Sequence, residues 1–308
     1  MLSTLITTVN QVLMMLGFVL IGYIMRKKRI GGDHVSAVLS SVEVNVFLPA
    51  TCFKTFSDNF TISGITQNAS FLYAGIIVIF FAFLLAKPLS RWFAENNLQK
   101  DVYMYSFLIP NIGYMGYPLF EGVFGSEILF KMMIFVIPFH LMIYTYGMYI
   151  LNPTREMSFK KIFNPTIIAI ILGIIFGVTQ LKLPTFLMKM VDSAKACMAP
   201  PAMILTGFVL ASIPIKPVLT NGKAYLAAII RGIVLPGITF AVMYFLNVDR
   251  TIMVIAVGCM AMPMGVNSIV FPEAFGGDSM TGAKTCLVSN IISIVTIPVI
   301  FAFLGKFI

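Results

Sequence analysis

The sequence predicts an all-α integral membrane protein in which ten transmembrane helices form two inverted five-helix repeats. Composition is the first observation, because 59% of the 308 residues are hydrophobic and only 11% are charged, whereas soluble domains carry roughly 25% charged residues. The second is that apolar runs long enough to span a bilayer, about 18 residues or more, recur along the chain. The third is a pair of helix-breaking motifs half a chain apart. Most of the surface is therefore expected to face lipid.

Ten apolar segments follow one another, and short polar stretches separate them without room for a soluble domain. The first has no basic residue before it and no small-residue cleavage pattern after it, so we expect a retained helix rather than a removed signal peptide. The segments are residues 5–25, 35–56, 70–93, 102–124, 128–151, 164–181, 185–212, 224–246, 251–274 and 283–305.

The basic residues predict the orientation of these segments. The connections after segments one, three, five, seven and nine hold most of them: Arg26, Lys27, Lys28, Arg29, Lys87, Arg91, Lys100, Arg155, Lys160, Lys161, Lys216, Lys223 and Lys284. The opposite side holds Lys54, Lys131, Lys182, Lys189, Arg250 and Lys306. The richer side is expected in the cytoplasm, so both termini should be non-cytoplasmic in a multi-pass protein of the cell membrane. Since the charges are scattered over short loops, the net charge of +9 reflects topology and not nucleic-acid binding.

A helix-breaking stretch, "IPNIGYMGYP" at residues 109–118, interrupts the fourth segment. Pro110 removes a backbone donor, and Gly113 and Gly116 relax the backbone around Asn111. In hydrocarbon, freed N–H and C=O groups are tolerated only where protein or a wet cavity covers them. The alternative is a proline kink with glycines for close packing.

A second break lies in segment nine, in "AMPMGVNSIVFPEAFG" at residues 261–276, with Pro263, Gly265 and Asn267. Pro263 follows the first break's proline by 153 positions, and half of the chain is 154. Ten helices are therefore predicted to be two copies of five, residues 1–155 and 156–308. Because five is odd, the second copy must be inverted. Inverted repeats with broken helices at matching positions are typical of secondary transporters and point to their binding sites.

The two breaks together predict one binding site for a small organic anion. Half-helix N-termini carry partial positive charge and favour anions, and the two Asn amides can both donate and accept hydrogen bonds. A carboxylate suits such a neutral but electropositive site. The predicted substrate-binding residues are Pro110, Asn111, Gly113, Gly116, Pro263, Gly265 and Asn267.

Three ionisable residues inside apolar segments are candidates for ion coupling or charge pairing. Glu43 lies within segment two, where it would serve proton coupling, contact substrate, or form a structural pair or a contact with water. Arg231 would pair with a carboxylate, on the substrate or on Glu43, or snorkel to the cytoplasmic interface. His140 would relay protons or be satisfied by a backbone carbonyl.

At these residues the chain resembles the auxin efflux carrier family, which covers plant PIN-type carriers and bacterial permeases for malate, malonate and similar acids. The resemblance covers essentially the whole length of the chain. The stretches that carry it are "NVFLPATCF" (45–53), "PNIGYMGYPLFEGVFG" (110–125), "NPTIIAIILGIIFG" (164–177), "APPAMILTGFVLA" (199–211) and "MPMGVNSIVFPEAFGGD" (262–278). It implies a fold like that of bile-acid and sodium–proton transporters. Segments one, two, six and seven would form a scaffold, and segments three to five and eight to ten a moving transport domain, with segments four and nine crossing at their breaks.

The predicted function is secondary active transport of a small organic anion. The alternative is a ligand-binding membrane sensor or a channel of the same fold. An enzyme is not expected, because the sequence lacks paired metal-binding acids, H-E-x-x-H, G-x-S-x-G and a Walker loop. No cofactor or metal site is predicted, and coupling to protons or sodium is left open. The small-xxx-small stretch "GIIFG" at 173–177 suits either a contact within the chain or a homodimer.

Overall fold

Twelve helices make up the described part of the chain in a computed structural model, which covers residues 2–32, 34–155, 163–212, 218 and 220–308. Lys160, Lys161 and Lys216, which contributed to the predicted orientation, lie outside these residues, as does the boundary after residue 155. The helices are α1 Leu2–Lys27, α2 Val35–Asn59, α3 Ile62–Phe93, α4 Asn97–Leu108, α5 Ile112–Phe135, α6 Ile137–Leu151, α7 Pro165–Thr179, α8 Thr185–Ala211, α9 Gly222–Phe245, α10 Arg250–Ala261, α11 Asn267–Phe275 and α12 Ser279–Leu304.

Six described helices are long and apolar enough to cross a membrane: α1, α2, the Gln67–Phe93 part of α3, α8, α9 and α12. The pair α5 and α6, bent by 47° at the break between them, would make a seventh span, and α7 and α10 are shorter apolar helices. The prediction of an all-α, multi-pass membrane protein is confirmed. Ten spanning segments stay a prediction.

The fifth predicted segment is not one straight helix. The chain bends at Val136, inside this segment, before α6 begins. It also changes direction at Gly125, which lies between the fourth and fifth predicted segments and has a φ of 85° inside α5. Pro138 lies in the first turn of α6 and has no N–H to continue the hydrogen bonds of α5. The position of the bend is therefore set by a proline that the apolar pattern alone does not distinguish.

Helices α4 and α10 correspond closely in length and in their ends. Each has 12 residues, and the bounds of α10 follow those of α4 by 153 positions. The side chains of Asn96 and Asp249 cap the two N-termini by accepting backbone N–H groups. Each helix ends two residues before a proline, Pro110 or Pro263, because the residue before proline disfavours helical backbone.

Glycines bring several helix pairs into backbone contact. A Cβ on Gly173 would lie 2.8 Å from the Phe53 carbonyl oxygen of α2, and one on Gly177 would overlap the Phe60 carbonyl oxygen. The "GIIFG" stretch therefore packs α7 against α2 within the chain, and the homodimer stays a prediction without this support. A Cβ on Gly207 of α8 would likewise overlap a carbonyl oxygen of α1.

Four π-helical turns interrupt the described helices: Glu43–Phe47 in α2, Ile112–Gly116 in α5, Ile143–Gly147 in α6 and Ile230–Val234 in α9. Such turns are frequent at functional sites. Two of them contain a predicted ionisable residue, Glu43 or Arg231, and one contains the glycines of the first break.

Candidate functional site

The two predicted breaks meet in space. Pro110 and Met264 form an isolated antiparallel bridge, and the Asn111 N–H donates to the Pro263 carbonyl oxygen at 2.9 Å. We call residues 109–111 and 262–266 the crossover. The two breaks, predicted from prolines 153 positions apart, are therefore neighbours.

A cavity of about 40 Å³ lies beside the crossover. Since one water molecule needs roughly 10–15 Å³ of such space, the cavity has room for a few waters but not for an organic acid. Five of the predicted substrate-binding residues line it, whereas Gly116 and Pro263 do not. The lining residues are Val44, Leu48, Tyr105, Ile109, Pro110, Asn111, Ile112, Gly113, Tyr114, His140, Ile143, Tyr144, Gly265, Val266 and Asn267.

The glycines at and near the crossover differ in how much space surrounds the position of a Cβ atom. A Cβ on Gly113 or Gly265 would have its nearest neighbours at 4.0 Å or 3.8 Å, which is ordinary contact. A Cβ on Gly116 would lie 3.1 Å from the Met132 Cε, so the flexible end of that side chain would have to move by a few tenths of an ångström. Close packing therefore does not require a glycine at position 113 or 265, and the space beside both residues stays open to the cavity.

Three buried side chains in the cavity wall have polar atoms without hydrogen-bond partners in the described part of the chain: the hydroxyl of Tyr105, the amide of Asn111 and the imidazole of His140. Asn111 is 3% exposed and its Nδ2 is unpartnered. His140 is equally buried; its Nε2 lies 2.6 Å from the Tyr117 hydroxyl, while its Nδ1 has no partner. The partner of His140 is thus a tyrosine and not a backbone carbonyl. Asn267, the first residue of α11, is partly exposed.

Among the residues that the structure describes, none of those lining the cavity is Asp, Glu, Lys or Arg. The first turn of α5, at Ile112–Tyr114, lines the cavity, and so do the first residue of α11, Asn267, and the two residues before it, so two helix N-termini face the cavity. Each N-terminus is equivalent to about half a positive charge, which gives roughly one positive charge from the pair. This arrangement can hold one anionic group.

Arg231 lies on the other side of the crossover, at the ends of α4 and α10. It is fully buried, its Nη1 donates to the Phe107 carbonyl oxygen at 2.9 Å, and its Nε donates to the Met262 carbonyl oxygen at 3.2 Å. These two acceptors are backbone carbonyls, and among the described residues Arg231 forms no ion pair with Glu43. Its Nη2 has no partner among the described residues.

Glu43 is also fully buried, and neither carboxyl oxygen has a hydrogen-bond partner in the described ranges. Asn45 does not serve it, because the Asn45 Nδ2 donates to the Ser41 carbonyl oxygen at 2.7 Å. Glu43 is adjacent to Val44 of the cavity wall and within electrostatic range of Tyr114. It therefore lies just behind the cavity, on α2.

Two residues of α12 support the crossover although the sequence analysis did not select them. The Ser289 Oγ accepts the Met264 N–H at 3.0 Å, and the Cys286 Sγ lies 3.3 Å from the Met264 carbonyl oxygen. Together they satisfy the backbone N–H and carbonyl of Met264 in the second break. The only sequence signal is two small polar residues three positions apart in an apolar helix, which does not reveal their partner.

A second, wider cavity of about 380 Å³ is lined by residues of α1, α2, α5 and α8; we call it the vestibule. Tyr117 lines the vestibule and bonds to His140 of the crossover cavity, so this hydrogen bond lies between the two spaces. Ion pairs connect α8 to its neighbours there: Lys195 to Glu121 at 2.8 Å and Asp192 to Lys54 at 3.3 Å.

Comparison with known proteins establishes the family. Residues 5–161 and 154–301 match the model of the family described as membrane transport protein. The chain belongs to this family. The predicted membership of the auxin efflux carrier family is thereby confirmed.

Two relatives are proteins named as uncharacterised transporters. One, from Methanocaldococcus jannaschii, is 24% identical over 299 residues, which cover 93% of this chain and 95% of the relative. The other, from Methanothermobacter thermautotrophicus, is 26% identical over 174 residues, 54% of this chain and 56% of the relative. Both the family and the relatives indicate a membrane transporter.

Proposed function

We propose that this protein is a secondary transporter that moves a small organic anion across the cell membrane by alternating access, with the anion's carboxylate bound at the crossover. The observation that carries the proposal is the chemistry of the crossover cavity. Two helix N-termini face it. In the described ranges the Asn111 amide has a donor without a partner, and the residues lining the cavity include no Asp, Glu, Lys or Arg. Family membership favours transport over catalysis.

The charge of the cavity suits one carboxylate group. Two N-termini together supply roughly one positive charge, and Asn111 and Asn267 add neutral amides beside them. A permanent buried cation in the wall would hold an anion more tightly, whereas dipoles and amides allow it to be released on the other side. The anion class therefore follows from the cavity's polar groups, while the identity of the acid depends on the space that opens around it.

The proposed architecture is two inverted repeats of five membrane segments. The 153-position correspondence of α4 and α10 and the antiparallel bridge at the crossover support it. So do Gly125 and Gly276, which both have positive φ shortly after the breaks. Segment four then comprises α4 and the first part of α5, and segment nine comprises α10 and α11.

The proposed scaffold consists of α1, α2, α7 and α8, and the remaining helices form the transport domain. Backbone contacts at Gly173 and Gly207 join the scaffold helices in pairs. Within the transport domain, the Lys223 Nζ lies 2.8 Å from the Glu95 Oε1 and connects α9 to the turn between α3 and α4. This hydrogen bond lowers the pKa of the Glu95 carboxyl, which lies outside the spanning helices.

Anion entry requires movement between the two proposed domains. The crossover cavity is closed on one side by Val44 and Leu48 of the scaffold helix α2, and it is too small for an organic acid in this conformation. The vestibule lies between scaffold and transport helices, on the side of the C-terminal end of α2. Displacing the transport domain from α2 would join the two spaces and expose the crossover on the predicted non-cytoplasmic side.

A binding screen tests the proposed site. Purified protein is heated with mono- and dicarboxylates at several pH values, with and without sodium. At least one carboxylate should raise the unfolding temperature, because a ligand that binds only the folded state stabilises it. The same acid should stabilise an Asn111→Ala/Asn267→Ala variant much less. An absence of any carboxylate effect, or an equal effect on the variant, would contradict a site at the crossover.

A further inference from the structure

Arg231 is a buried cation without an acidic partner among the described residues. Its side chain is fully buried, and the acceptors of its two hydrogen bonds are the backbone carbonyls of Phe107 and Met262. No described Asp or Glu forms an ion pair with it. Burying an isolated charge costs a large free energy, so some other negative charge must compensate it.

The two half-helix ends supply that charge. Phe107 is in the last turn of α4, and Met262 immediately follows α10. A helix C-terminus is equivalent to about half a negative charge, so the two ends together carry roughly one negative charge. This matches the single positive charge of the guanidinium. The crossover thus has a negative side, neutralised by Arg231, and a positive side, which faces the cavity.

In broken-helix transporters, unwound carbonyls and half-helix C-terminal ends are the groups that coordinate a coupling cation. Here the carbonyls of Phe107 and Met262 already accept N–H groups of Arg231. We propose that Arg231 is the resident cation of the crossover: its guanidinium takes the place of a coupling sodium ion, so that anion binding at the crossover needs no sodium. The inference rests on the proposed function for the anion itself.

The chemistry of arginine suits this role better than that of lysine. The guanidinium is planar and permanently charged, and its Nε and Nη1 donate in fixed directions to two separate carbonyls. The π-helical turn Ile230–Val234 of α9 carries the residue. A resident cation of this kind cannot dissociate, so the ends of α4 and α10 stay neutralised in every conformation of a transport cycle.

The first test measures cation dependence of the purified protein without any anion substrate. Unfolding temperatures of the wild type are compared in sodium, potassium and choline chloride at equal ionic strength. We expect them to agree, because the carbonyl site is filled by Arg231. A specific stabilisation by sodium would overturn the inference.

The second test removes the guanidinium. Arg231→Ala should unfold at a lower temperature than the wild type, and millimolar guanidinium should restore at least half of the loss, with sodium as a weaker substitute. Ethylammonium and choline are controls for general salt effects. Arg231→Lys keeps the charge but not the two-carbonyl geometry, so it should be less stable than the wild type and should not recover with guanidinium, because its ammonium occupies the site. Failure of guanidinium to stabilise Arg231→Ala, or an Arg231→Lys variant as stable as the wild type, would contradict the assignment.

These outcomes are separable from those of the proposed function. Cation dependence and guanidinium rescue are measured on protein without an anion, so they can hold even when no carboxylate binds. Conversely, carboxylate binding that requires sodium in the wild type would support the anion site and refute the role of Arg231.

Discussion

Replacing Asn111 by Ala should have opposite effects on anion binding and on stability. The Nδ2 of Asn111 is buried and has no partner in the described chain, so the empty protein bears the cost of dehydrating that group, about 1–3 kcal/mol. The backbone hydrogen bond from Asn111 to Pro263 is unaffected by the substitution. We therefore expect the unfolding temperature of the empty variant to equal or exceed that of the wild type, once the lost packing of the amide is included.

Binding of the anion should weaken, because Ala cannot donate the hydrogen bond that the Asn111 Nδ2 would donate to the carboxylate. A lost hydrogen bond to a charged group is worth about 1.5–3 kcal/mol, which corresponds to a roughly 10- to 150-fold higher Kd. The assays are thermal unfolding of the empty protein and equilibrium binding of the carboxylate selected by the screen.

Asn290→Ala provides the matched control for this experiment. The Nδ2 of Asn290 donates to the Cys286 carbonyl oxygen at 2.8 Å, and Asn290 does not line the crossover cavity. This variant should lose stability and keep its affinity. The reasoning fails if Asn111→Ala binds the anion like the wild type, or if it is destabilised as much as Asn290→Ala.

Three further predictions concern packing, coupling and orientation. Gly207→Ala should reduce folded yield, because its Cβ would overlap a carbonyl oxygen of α1, whereas Gly237→Ala, with no atom within 4 Å of the new Cβ, should fold normally. If protons drive transport, the double variant Glu43→Gln/His140→Gln should flatten the pH dependence of uptake, and an unchanged profile would remove both residues from coupling. A cysteine replacing Lys27 should react with impermeant reagents only from the cytoplasmic side, and labelling from outside would invert the predicted orientation.

The position of the crossover could be predicted because proline and glycine act on their own backbone. Pro110 and Pro263 end the preceding helices whatever surrounds them, and their matched spacing is visible in the chain itself. In hydrocarbon, the freed backbone groups must be covered. One way to cover these groups is for the two breaks to lie against each other. The antiparallel bridge between Pro110 and Met264 shows that they do.

The partners of the ionisable residues could not be predicted, because they depend on tertiary packing. Arg231 reaches carbonyls that are 124 and 31 positions away, and His140 reaches Tyr117 across 23 positions. A charge in an apolar segment shows that some partner is needed, not which one. Backbone carbonyls are especially hard to foresee, since every residue has one. The lack of any partner for Glu43 is likewise visible only in the packed structure.

Counterflow in proteoliposomes tests the central claim most directly. Vesicles containing the purified protein are loaded with a high concentration of the unlabelled carboxylate selected by the binding screen and diluted into a trace of the labelled acid. A carrier that alternates access at the crossover should accumulate label transiently above its equilibrium level, and Asn111→Ala should reduce this accumulation. Label that only equilibrates would indicate a channel. Label that does not enter faster than into protein-free vesicles would indicate a sensor, and either result would contradict transport by alternating access.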